Sequence, residues 1–99
     1  LHEVRAFLHY TERDYPIFYW RTHEGAEVDL VIETPRRLVA VEFKAKDTWE
    51  ARDARGLTRF AELSREREVL ALGVFTGARA LLRDGLRVLP WKKFLQELW

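Results

Sequence analysis

The chain has 99 residues, 47% hydrophobic and 33% charged, with 17 basic against 16 acidic side chains and a formal net charge of +1. That length supplies one domain with one core, and the balance of charge gives no bulk electrostatic signal for nucleic acid. Cysteine is absent, which excludes a disulfide framework and thiol chemistry, and no apolar run approaches the roughly 20 residues of a membrane span.

Residues 1 to about 13 predict a helix, because Leu1, Val4, Leu8 and Thr11 recur near the helical period and Phe7 widens the stripe. Glu3 lies one position off that stripe, and His2 and His9 are too far apart along it to share a metal ion. Asp14, Tyr15 and Pro16 end the helix. Ile17 to Thr22 is aromatic and β-branched and predicts a strand. His23, Glu24 and Gly25 make the turn into a second strand, Ala26 to Glu33. The link Thr34 to Arg37 joins it to a third, Leu38 to Lys46, and is short enough for an antiparallel hairpin. Asp47 as helix cap, with Glu50 three residues on, predicts a helix running to about Arg67. Its apolar stripe is Ala54, Leu57 and Ala61, flanked by Phe60 and Leu63. Gly56 inside it costs about 1 kcal/mol against alanine and suits a helix that must come close to the sheet. Arg52, Arg55 and Arg59 share one side of this helix. They form either a phosphate-tracking stripe or a solvated face pairing with Asp53, Glu62 and Glu66. Val69 to Thr76 is the continuous apolar run of a buried strand, parallel to the third through the crossover helix. Asp84-Gly85 turns a hairpin between Ala80–Arg83 and Leu86–Leu89. Pro90 opens a last helix at its first position, on which Trp91 and Trp99 act as packing anchors.

The two strands of the central hairpin carry the chemistry. Alternation puts Val28, Leu30 and Ile32 on one face of the first, with Glu27, Asp29, Val31 and Glu33 on the other. On the next strand Val39, Val41 and Phe43 share a face, opposite Ala40, Glu42, Lys44 and Lys46. Asp29, Glu42 and Lys44 thereby fall together. Two converging carboxylates suit a hard divalent cation such as Mg2+, and a lysine beside them can hold a water or neutralise a phosphate. Metal, water and ammonium are the requirements of phosphodiester hydrolysis. The alternative is a solvated hairpin face on which Asp, Glu and Lys are cross-strand pairs.

An Asp on one strand and Glu-x-Lys on the next, with a helix before and a helix after, resembles the PD-(D/E)XK nuclease superfamily. More narrowly, the chain is similar to the domain that follows the ATPase module in a large family of uncharacterised prokaryotic AAA-type ATPases. The residues that carry the likeness are His2 to Leu8, Tyr19-Trp20-Arg21, Gly25 to Glu33, Val41 to Ala45, and then Asp53, Gly56-Leu57 and Phe60. Val28 stands where the proline that names the superfamily would precede the aspartate. The resemblance implies an α/β fold with a restriction-endonuclease-like core, in the order α-β-β-β-α-β. Its mixed sheet would be flanked by helices, with the C-terminal hairpin and helix added. It implies Asp29, Glu42 and Lys44 as catalytic residues. Asp29 and Glu42, with Glu3 from the first helix, would be ligands to Mg2+ or Mn2+. The expected activity is that of an endo- or exodeoxyribonuclease, with DNA and the ATPase module as partners. The alternatives are an inactive nuclease-fold module that binds nucleic acid or protein, or one that serves ATPase assembly. The whole chain, 1–99, reads as one domain. Opening on Leu1 and lacking methionine, it reads as a piece excised from a longer, cytoplasmic protein.

Overall fold

The computed structural model describes residues 15–98. The helix expected over residues 1 to 13, and with it Glu3, His2 and His9, lies outside the described residues. Six strands form one mixed sheet: β1 Ile17–Arg21, β2 Glu27–Glu33, β3 Arg37–Phe43, β4 Glu68–Phe75, β5 Leu81–Arg83 and β6 Leu86–Pro90. Their order across the sheet is β1-β2-β3-β4-β6-β5. β1, β2 and β3 form an antiparallel meander, β4 runs parallel to β3, and β6 runs parallel to β4. Among the described residues two α-helices accompany the sheet, α1 Arg55–Leu63 and α2 Trp91–Leu98. The result is a small mixed α/β fold.

β3 is the axis of this arrangement. It has strand neighbours on both edges and is buried from Leu38 to Glu42. One face of the sheet carries Ile32, Val39, Val41, Leu72, Val74 and Leu89, sealed by Phe94 of α2. The opposite face carries Val28, Val31, Leu38 and Ala40, covered by Leu57 and Phe60 of α1. Leu57 and Phe60 are almost wholly buried, and removing such side chains from water stabilises the fold by about 1.5–3 kcal/mol each. A sheet clothed by a helix on either side explains why β3 and the end of β4 read as apolar runs rather than strict alternations.

The expected face assignment of Val28 is corrected. Ile17 pairs with Ile32 and Phe18 with Val31, but Trp20 pairs with Val28 and Arg21 with Glu27. Tyr19 therefore stands opposite two residues, Asp29 and Leu30, and β2 carries a β-bulge there. The extra residue turns Val28 onto the face of Val31 and away from Leu30 and Ile32.

Four boundaries also shift. β3 ends at Phe43 rather than Lys46, although the Lys44 N–H still donates to the Val74 carbonyl (2.8 Å) and the Thr76 N–H to the Lys46 carbonyl (2.9 Å). The helical segment starts as a 3-10 turn over Ala51–Ala54, with Glu50 rather than Asp47 as its cap, and α1 stops at Leu63. Pro90 ends β6, and α2 begins at Trp91, whose side chain is exposed beneath Lys92 rather than packed as an anchor. At the expected hairpin, Asp84 and Gly85 both adopt positive φ, 50° and 82°, the pairing that a two-residue turn between twisted strands requires.

α1 approaches β2 very closely at Gly56. A Cβ there would stand 1.9 Å from the Glu27 carbonyl oxygen, so only glycine allows this contact. It brings the first turn of α1 down beside the end of β3, where Glu42 lies.

Candidate functional site

The paired register of β2 and β3 runs from Glu33–Leu38 to Leu30–Val41 and stops. Past that point two carboxylates take the place of backbone carbonyls. Glu42 Oε1 accepts the Asp29 N–H at 3.1 Å, and Asp29 Oδ2 accepts the Phe43 N–H at 2.8 Å. The bulge makes this exchange possible, because it displaces the Asp29 backbone from regular pairing and turns its side chain toward β3. Asp29 is exposed, whereas Glu42 is only 4% exposed.

Lys44 lies two residues beyond Glu42 on the same side, and its Nζ is 3.3 Å from Glu42 Oε2. The three residues expected from the strand pattern thus converge. Glu42 is not part of a solvated face, because it shares a cleft with the first turns of the helical segment. Burial, followed by the hydrogen bond and the charge of Asp29, pushes its carboxyl up to about 7, while Lys44 pulls the other way.

A second ion pair stands behind the first. Lys46 Nζ meets Asp53 Oδ2 at 2.8 Å, and the same carboxylate oxygen accepts the Glu50 N–H at 2.8 Å. Asp53 is buried. Its burial opposes the charge, but the Lys46 ammonium and the Glu50 amide outweigh that and hold the carboxyl below its ordinary value. The strand pattern placed Lys46 beside Lys44 but gave it no partner. The signal for that partner is Glu50-x-x-Asp53, a helix-start spacing that competes with Asp47-x-x-Glu50.

The cleft bounded by these groups has a volume of about 260 Å3. Glu42 and Lys44 line one side, Arg52, Asp53 and Arg55 the other, and Gly25–Glu27 and Gly56 close the end. Of the expected arginine stripe, Arg52 pairs with Glu50 (2.9 Å) and Arg59 with Glu62 (3.4 Å), so most of it is the solvated face. His23 is exposed in its turn. A larger groove of about 720 Å3, between α1 and the β5–β6 hairpin, is lined mostly by apolar and small side chains. It contains none of the three converging residues.

Asp29 and Glu42 present the oxygen donors that Mg2+ or Mn2+ prefers. Among the described residues, no set of three or more His, Cys, Asp or Glu side chains gathers at one point. Glu3, expected as a further ligand, lies outside them. No described helix is long and apolar enough to cross a membrane.

A family model described as a domain of unknown function, DUF4143, matches residues 1–94. No curated protein matches the chain.

Proposed function

Because the chain belongs to the DUF4143 family, whose description assigns no activity, we propose a function from the site itself: a metal-dependent nuclease domain that hydrolyses DNA phosphodiester bonds. Asp29 and Glu42 would hold Mg2+ or Mn2+, and Lys44 would serve the attacking water and the phosphate. The observation that carries this reading is the buried Glu42 carboxyl kept against the Asp29 carboxyl, with Lys44 3.3 Å away. Burial and a neighbouring like charge both penalise an ionised Glu42, and such arrangements gather at functional sites.

When bound, such a cation would supply charge neutralisation at the phosphate and a more acidic water. The protein's own residues do the rest. The Asp29 and Phe43 amides orient the two carboxylates. The Lys44 ammonium, a third exposed, faces both the Glu42 carboxylate and solvent, where it can steady a water or a phosphate oxygen. Behind it Lys46 is held by Asp53, which fixes this end of β3 against the helical segment. The mixed sheet, with an antiparallel hairpin followed by a helix and a parallel strand, supports a restriction-endonuclease-like core. On the same reading the domain follows an AAA-type ATPase module.

Calorimetric titration with Mn2+ and cleavage of plasmid DNA test the proposal together. Asp29→Asn keeps an acceptor for the Phe43 N–H, so it should fold while losing the metal isotherm and the cleavage. Lys44→Ala should keep metal binding and lose roughly 100-fold or more in rate. Unchanged cleavage by Asp29→Asn would refute the assignment.

A further inference from the structure

We infer that Arg55 is the phosphate-holding residue of the cleft and engages the DNA backbone beside the phosphate that is cleaved; this rests on the nuclease reading above. Arg55 is the first residue of α1 and lines the cleft opposite Glu42 and Lys44. The other ionised groups around it are already committed. Arg52 is paired with Glu50, Asp53 with Lys46, and Lys44 with Glu42. Among the described residues, the Arg55 side chain has no ion pair or hydrogen bond; its backbone N–H donates to the Arg52 carbonyl. It is an exposed guanidinium beside the cleft, and the Glu27 carboxylate that also lines the cleft is taken by the Tyr19 hydroxyl rather than by Arg55.

Gly56 explains how it comes to be there. The contact of the Gly56 backbone with the Glu27 carbonyl fixes the start of α1 against β2, so the neighbouring Arg55 backbone is placed by the sheet. A guanidinium offers a planar fork of donors that matches two phosphate oxygens at once, which an ammonium cannot do. One arginine in a chain of net charge +1 also accounts for a nucleic-acid contact without a basic surface, because the charge that matters is local to the cleft.

The test is binding of a fluorescein-labelled duplex oligonucleotide, by anisotropy in Ca2+ over a series of salt concentrations. Arg55→Ala should weaken binding roughly tenfold and make the slope of log affinity against log salt shallower by about one. Arg55→Lys should restore the slope but only part of the affinity. Arg59→Ala, on the same helix but paired with Glu62, should match the wild type. Wild-type affinity and slope in Arg55→Ala would overturn the inference. So would a wild-type protein that binds Mn2+ but no oligonucleotide, and that outcome leaves the metal site standing. Conversely, no Mn2+ binding by the wild type, with affinity still lost in Arg55→Ala, would sink the nuclease reading and keep Arg55 as a phosphate contact.

Discussion

Replacing Glu42 by glutamine in the metal-free protein should stabilise it, and by an amount that grows with pH. The Glu42 carboxyl is raised from an ordinary 4.5 to about 7, first by burial and then by Asp29. Between those values the folded protein keeps a proton that the unfolded chain has released. Stability therefore falls as pH rises through that window and levels off above the folded pKa. Each tenfold change in proton affinity is worth about 1.4 kcal/mol, which brings the total to about 3 kcal/mol. Glutamine has the same shape, cannot ionise, and still offers an oxygen to the Asp29 N–H. The two proteins should be of similar stability near pH 5 and differ by about 3 kcal/mol near pH 8, in favour of the variant. Urea unfolding followed by tryptophan fluorescence, in chelator and at several pH values, measures the difference directly. Parallel stability profiles, or a variant less stable than wild type near pH 8, would refute the claim that Glu42 is ionised at a cost. Adding Mn2+ should raise the stability of the wild type progressively with ligand concentration and leave the variant unmoved.

Asp53→Asn should cost about 1–3 kcal/mol at neutral pH, because it weakens the bond to Lys46. Asp53 titrates below its ordinary range, so its contribution is present above the unfolded value and is lost as pH falls through the folded one; the deficit should fade in acid. Gly56→Ala gains about 1 kcal/mol of helix propensity but drives a methyl group onto the Glu27 carbonyl. The expected net loss is about 1–3 kcal/mol, and a melting temperature equal to or above wild type would show that α1 does not press on β2 there. Thr34→Val removes a buried hydroxyl that both donates to the Arg37 carbonyl (2.6 Å) and accepts the Arg37 N–H (3.0 Å). Its expected cost is again about 1–3 kcal/mol in urea unfolding.

Much of this was legible from period and punctuation. The alternation in AEVDLVIE and LVAVEFKAK placed Glu42 and Lys44 side by side, and the apolar run after the crossover placed β4 parallel to β3. The bulge was not, because Leu30-Val31-Ile32 suits regular pairing with both faces covered as well as it suits an inserted residue. Only pairing with Tyr19 decides between them. The start of the helical segment was ambiguous for a physical reason. Asp47, Glu50 and Asp53 stand at equal spacing, and Asp53 prevails where Lys46 reaches it. The burial of Glu42 could not be read from β3 at all, because a solvated hairpin shows the same letters. It depends on α1, whose descent onto β2 is recorded in a single glycine.

The exchange of bonds at the bulge makes two backbone amides into natural reporters. The Asp29 N–H points at a Glu42 oxygen, and the Phe43 N–H points at an Asp29 oxygen. Each amide proton is polarised by a carboxylate oxygen, whose surroundings change when a cation enters the cleft. In a nitrogen-15 correlation spectrum these two resonances should move together as a cation is added, with no extrinsic probe attached to the site. Both amides also hold β2 to β3 where the regular ladder has stopped. Their rates of hydrogen exchange would therefore register occupancy of the cleft as a tightening of that seam, one strand end serving at once as scaffold and as gauge.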